Sequence, residues 1–226
     1  MSRFLHLPRL VIACAQVALA VATASAVTID TSKVDPTTGT YTYAIRHGEQ
    51  AAVLDDPAVT TSPGIAASSN PANEADFIAI DGRGNNGAAS LVFKFDFGKN
   101  GMAATRLRVV SGLGNVWDKY YPKGTSVTQS VSLDGIHYTH IPGAYKSFTG
   151  WVAFASAAGS IDLTALPGGS SADAAVVYYK VSFHHSAPGA NIWNSVQWAK
   201  SRLTDRARPG FLAVFDVVKK ALEAKN

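Results

Sequence analysis

The chain has 226 residues, 47% of them hydrophobic and 16% charged, with a formal charge of +4 and one cysteine, Cys14. So thin a basic surplus, with no RNA- or DNA-binding motif beside it, argues against a nucleic-acid partner. A single cysteine excludes an intramolecular disulfide framework.

Met1 to Arg9 is basic, Leu10 to about Ala22 is apolar apart from Gln16, and Ala24-Ser25-Ala26 precedes Val27. A basic start, an apolar middle and a small-x-small end form a secretory signal peptide. Residues 1–26 are therefore expected to be removed and the protein to be secreted or periplasmic, meeting the membrane only transiently through that segment. The apolar run falls short of the roughly 20 residues that a spanning helix needs. Val11-Ile12-Ala13-Cys14 also resembles a lipobox, so lipidation of Cys14 stands as the alternative to cleavage after Ala26. Cleavage takes Arg3, Arg9 and Cys14 with it, leaving a nearly neutral chain without a thiol. A chain of this size buries roughly 70% of its unfolded surface and needs no disulfide staple.

From Val27 onward the segment 27–75 is polar and rich in Thr, Ser, Pro and Ala, and reads as an N-terminal extension with edge strands and a loop. Thr40 to His47 has strand composition. Thr60 to Ala72, with two prolines, three serines and an asparagine, reads as a surface loop. Regular structure is expected from 76 to the end. Phe77 to Ile80 is a short apolar run, closed by the Gly/Asn-rich loop Asp81 to Gly87. Leu91, Phe93, Phe95 and Phe97 then alternate with Val92, Lys94 and Asp96, as a strand covering a core should. Burying those four side chains contributes on the order of 6–12 kcal/mol gross, at roughly 1.5–3 each. Thr105, Leu107 and Val109 alternate in a further strand.

Ser111 to Gly124 is an aromatic loop. Ser130 to Ile141 holds Asp134-Gly135 between two alternating runs, which predicts a hairpin with a two-residue type I′ loop. Strands are expected at Trp151 to Phe154, at Val177 to Phe183 and at Phe211 to Val218, before a short polar tail. Eight to ten strands without a long helix predict an all-β protein, an antiparallel jelly-roll β-sandwich of a single domain.

Aromatic rings beside amides and carboxylates suit sugars, whose C–H faces stack and whose hydroxyls hydrogen-bond. Asn115, Trp117, Asp118, Tyr120 and Tyr121 of the aromatic loop are the first candidate ligand-binding set, with Trp193 as a second locus. The alternative is that these rings fold back and plug one end of the sandwich. Asp81 and Asn85 bring hard oxygen ligands suited to a calcium ion, or else simply form a tight turn. His137 and His140 would point to opposite faces of a strand and so would not share a metal. No catalytic motif is present: there is no Gly-x-Ser-x-Gly elbow, no His-Glu-x-x-His and no phosphate-binding glycine loop.

Four landmarks in order resemble those of galactose-binding-like β-sandwich domains, the discoidin and carbohydrate-binding-module type. Leu91-Val92-Phe93-Lys94-Phe95-Asp96-Phe97 is similar to their early strand, and Ser132-Leu133-Asp134-Gly135-Ile136-His137-Tyr138 to their aspartate-glycine strand. Ile161-Asp162-Leu163-Thr164 with Val177 to Phe183 is similar to their aspartate-leucine turn and the strand after it, and the final strand lies near Phe211. The resemblance covers residues 76–218 and implies a jelly-roll fold, a carbohydrate or glycoconjugate partner and, in many members, a structural calcium ion. No cofactor beyond that ion is implied. The expected function is a secreted non-catalytic binding module. The alternatives are a polysaccharide lyase or glycoside hydrolase on a β-jelly-roll, and a structural or adhesion protein of the cell envelope.

Overall fold

Alternation decides the architecture: Leu91, Phe93, Phe95 and Phe97 are all fully buried, while Val92, Lys94 and Asp96 between them are partly exposed. The computed structural model describes residues 25–45, 49–63, 65–70, 75–81, 88–114, 125–148, 155–167, 174–184, 191–198, 208–209 and 211–219. Within them the strands are β1 (Val34–Asp35), β2 (Thr40–Ala44), β3 (Val59–Thr61), β4 (Ile65–Asn70), β5 (Ala75–Asp81), β6 (Ala88–Asp96) and β7 (Met102–Gly114). Further along the chain are β8 (Thr125–Ser132), β9 (Thr139–Phe148), β10 (Ala155–Asp162), β11 (Val176–His184), β12 (Asn191–Trp198), β13 (Arg208–Pro209) and β14 (Phe211–Lys219). A short helix, α1 (Gln50–Asp55), precedes β3.

These strands form two sheets. The smaller has the order β3-β6-β11-β8-β9; the larger runs β1-β2-β14-β7-β12-β5-β4, with β10 on β7 and β13 on β12. All the strand pairs are antiparallel. From β5 to β8, and again from β9 to β12, the chain changes sheet at every step. That is the winding of a jelly-roll sandwich, which leaves few long edges exposed.

The core lies between the sheets. Phe93, Phe95 and Phe97 of the smaller sheet stack in a row, and Phe215 of β14 meets Phe95 and Phe97 at centroid distances of 4.7 and 5.0 Å. Tyr41 of β2 lies edge-on to Phe97 at 5.9 Å. Val27, Ile29 and Ile45 join the same core, so the chain between residues 27 and 45 packs with the strands of the sandwich. A buried polar chain ties the smaller sheet to the larger through Gln129. Tyr179 of β11 donates its hydroxyl to Gln129 Oε1 on β8, and Gln129 Nε2 donates to the Ala157 carbonyl of β10 at 2.9 Å. All three residues are buried.

Along one side, β9 runs against β10. A Cβ added to Gly159 would press on the Pro142 carbonyl and lie 2.7 Å from the Ala144 nitrogen, so only glycine lets these backbones approach so closely.

Two local expectations are corrected. Residues 60–72 contain β4 and most of β3 rather than a continuous loop; both are polar strands near sheet edges, where alternation is not enforced by burial. The β8–β9 connection is longer than a two-residue turn, since Val131 pairs with Thr139 and residues 133–138 lie outside the ladder. Side-chain hydrogen bonds from Asp134 and Ser132 replace the ladder there. The strand expected at Trp151 to Phe154 lies outside the described residues, apart from β10, which begins at Ala155.

Candidate functional site

Strand alternation turns Lys94, Tyr178, Lys180, Ser130 and Thr128 toward the outer side of the smaller sheet, because their neighbours on either side fill the core. Tyr178 stands opposite Lys94 on one side and Ser132 on the other; Lys180 stands between Val92 and Ser130. The loop from Leu133 to Tyr138 folds onto this surface.

Asp134 builds that loop. Its Oδ1 accepts from the backbone nitrogens of Ile136 and His137, each at 2.8 Å, and from the Ser132 hydroxyl at 2.7 Å. Its Oδ2 meets His137 Nδ1 at 2.7 Å. Ser132 Oγ in turn accepts from the backbone nitrogens of Asp134 and Gly135. The His137 side chain, the two backbone donors and Ser132 together hold the Asp134 carboxyl well below the usual carboxylate range. His137 and Asp134 are both largely exposed, so their contact shapes the loop more than it stabilises the fold.

Gly135 closes the arrangement. Its φ of +76° lies in the left-handed region, and an added Cβ would sit 3.1 Å from two ring carbons of Tyr178. The bare backbone therefore rests on the tyrosine ring. Tyr138, three residues on, is covered by Lys180, whose Nζ lies 5.1 Å from the ring centroid; Lys94 Nζ lies 5.8 Å from that of Tyr178. Burial pushes the Tyr138 phenol above its ordinary value, with Tyr178 and Asp134 adding to the effect, so it is a neutral donor at physiological pH. Between these groups lies a cleft of about 230 Å³, lined among others by Thr60, Val92, Lys94, Gly135, Tyr138 and Tyr178. It offers ring surface together with hydroxyl and ammonium groups. Its volume is below the roughly 300–1,000 Å³ of pockets for drug-sized ligands and suits one ring at a time.

A larger cleft of about 760 Å³ lies among Val34, Asp35, Asn100, Met102, Val217 and Lys219. Two of its polar side chains are spent on local structure: Asp35 Oδ1 accepts from the Thr37 and Thr38 nitrogens, and Asn100 Nδ2 donates to the Ile29 carbonyl. Among the described residues it has no aromatic wall. The smaller cleft is the better candidate.

Of the residues expected to bind ligand, Asn115, Trp117, Asp118, Tyr120 and Tyr121 lie outside the described residues. Trp193 lies on β12, where its backbone stands opposite Gly114, the last residue before that loop. Asp81 ends β5 opposite Asn191, and Asn85 lies outside the described residues. The register thus brings the start of the aromatic loop, Trp193 and Asp81 to one region of the larger sheet. The other oxygen ligands that a calcium ion would take, Asn85 among them, lie outside the described residues. Among the described residues no three of His, Cys, Asp or Glu stand together as metal ligands. Tyr178, Lys94 and Lys180 escaped the sequence reading because they occupy ordinary outward positions of alternating strands. The available signal was an outward tyrosine flanked by lysines of its own and the adjoining strand.

The chain matches no protein-family model. It matches no curated protein either. Among solved structures it is similar to TmCBM61 in complex with β-1,4-galactotriose, at 12% identity over 61% of this chain and 82% of that one, TM-score 0.38. It is likewise similar to Caldicellulosiruptor saccharolyticus CBM27-1 in complex with mannohexaose, at 12% identity over 68% and 94%, TM-score 0.36. A third is the CBM35 from Cellvibrio japonicus Abf62, at 11% identity over 72% and 96%, TM-score 0.33. Carbohydrate-binding modules thus stand among the solved structures that this chain is similar to.

Proposed function

We propose that the protein is an exported, non-catalytic carbohydrate-binding module. The observation that carries this reading is the Tyr138–Tyr178 cleft on the outer face of the smaller sheet, where ring surface, hydroxyls and ammonium groups meet in a space for one ring. A sugar ring has apolar C–H faces and a rim of hydroxyls, and such a wall complements both. The ordered strand landmarks from Leu91 to Phe211 support the same reading, and so does the aromatic composition of segment 115–121. Export is supported by the three-part leader.

A glycan array followed by affinity electrophoresis tests the proposal. The protein is expected to be retarded by at least one polysaccharide, and Tyr138→Ala to weaken that retardation about tenfold, a loss of roughly 1.4 kcal/mol. Trp117→Ala and Tyr120→Ala report in parallel on the aromatic loop. Absence of binding across a broad panel of plant, algal and bacterial glycans would overturn the reading.

A further inference from the structure

The turn between β6 and β7 carries a reactive dipeptide. Among the described residues, asparagine or aspartate directly precedes glycine at Asn100–Gly101 and at Asp134–Gly135. At such a pair the glycine nitrogen can attack the side-chain carbonyl carbon before it, because glycine puts no side chain in the way. Asp134 resists that attack. Its carboxylate is charged and accepts from Ser132, Ile136 and His137, while the Gly135 nitrogen is itself bound to Ser132 Oγ at 2.9 Å. Asn100 presents a neutral amide, with ammonia as the leaving group. It ends a 3₁₀ turn of only three residues, Gly98–Asn100, and both it and Gly101 are exposed. Gly101 has a φ of +63°, and nothing lies within 4 Å of the place a Cβ would take, so its backbone has room to move. Two hydrogen bonds oppose the movement: Gly101 N donates to the Gly98 carbonyl at 3.0 Å, and Asn100 Nδ2 to the Ile29 carbonyl at 2.9 Å. A turn this short, at the surface, opens locally at little cost.

The bond to Ile29 gives the reaction its consequence. Ile29 and Val27 are buried in the core, and the Val27 nitrogen donates to the Lys94 carbonyl at 2.7 Å. Asn100 thus holds a second point of the same segment, from a position 71 residues along the chain. An amide donates there, but a carboxylate only accepts. With aspartate at 100, two acceptors face one another and the Ile29 carbonyl loses its partner, which is costly for a part-buried group.

We propose that Asn100–Gly101 is a site of spontaneous deamidation, and that the reaction loosens residues 27–33 from the sandwich without return. The Gly101 nitrogen gives up its proton and bonds to Asn100 Cγ; the bond from Cγ to Nδ2 breaks, and ammonia leaves with that proton. Water then opens the resulting cyclic imide at either carbonyl, and the ring nitrogen regains a proton. The products are aspartate or isoaspartate at position 100, nothing is oxidised or reduced, and the chain gains one negative charge. The inference is independent of the carbohydrate-binding reading.

Incubation of the protein in mildly alkaline buffer, followed by isoelectric focusing and peptide mapping, tests it. A more acidic form with aspartate and isoaspartate at position 100 is expected to accumulate, more slowly than in the urea-unfolded chain because the two hydrogen bonds must open first. Mapping separates it from conversion at Asn86–Gly87, which shares the dipeptide. The form modified at 100 is expected to melt at a lower temperature and to be cut by trypsin after Lys33 several-fold faster than the parent. Asn100→Asp is expected to reproduce both effects without incubation, and Asn100→Gln to stop conversion at this position, since the longer side chain closes the ring far less readily. Retention of Asn100 in the folded protein while the unfolded chain converts would overturn the site. Melting and tryptic cleavage unchanged in both the modified form and Asn100→Asp would overturn the loosening.

Discussion

At the scale of single residues, the loop that covers the cleft depends on two adjacent positions with different tasks. Asp134 supplies acceptors that strand pairing no longer provides, and Gly135 supplies a backbone conformation and a surface without a side chain. Gly135→Ala meets both obstacles at once: a left-handed conformation that costs an L-residue roughly 1–2 kcal/mol, and a methyl group 3.1 Å from the Tyr178 ring. Urea denaturation is expected to show at least that loss of stability. Asp-Gly was legible as a turn, but its form was not. A dipeptide signal does not report that Ser132, two residues before Asp134, will share the backbone donors, nor that a tyrosine more than forty positions along the chain sits beneath the glycine.

At the scale of elements, burial decides what a sequence reveals. β6, β11 and β14 cover the core and must alternate, so Leu91 to Phe97, Val177 to Phe183 and Phe211 to Val218 were readable directly. β4, built of Ile65-Ala66-Ala67-Ser68-Ser69-Asn70, pairs only with β5 at the edge of the larger sheet, and nothing in its composition separates it from a loop. The seam between β9 and β10 was equally silent, because it depends on a close approach of two backbones and not on any side-chain pattern. Gly159→Ala forces β9 away from β10 or distorts both, and overpacking of this kind costs about 1–3 kcal/mol or more. The expected result is a lowered melting temperature with faster amide exchange at Ile141 and Ala144 by NMR. Unchanged exchange there would show that the seam yields without cost. The cleft itself was hidden for the same reason as the seam: it is assembled from β3, β6, β11 and the 133–138 loop, which share no local sequence pattern.

At the scale of the whole molecule, the sandwich hides phenols as well as hydrocarbon. Burial raises the pKa of the Tyr43 and Tyr41 phenols above the ordinary value, and that of the fully buried Tyr179 well above its ordinary value of 10.0. The folded form thus holds protons that the unfolded chain gives up first. The stability linked to these groups is fully present below pH 10 and declines as the pH rises above it, because the unfolded chain then ionises and the native core does not. A spectrophotometric titration of tyrosinate is expected to be biphasic, the surface phenols ionising reversibly and the buried ones only together with loss of the native circular dichroism. Ionisation of every phenol without unfolding would contradict the tight packing of Tyr179 against Phe93 and Gln129.

β14 is the last described strand of the chain, yet it lies inside the larger sheet, pairing with β7 along nine residues and with β2 along five. A growing polypeptide that has not reached Lys219 has no surface on which those two strands can meet, and Phe95 and Phe97 lack their partner Phe215. Folding of this sheet must therefore await synthesis of residue 219 and cannot proceed in step with it. A sheet that stays open until β14 is made leaves the preceding chain threadable, and loss of β14 leaves β2 and β7 without the strand that joins them.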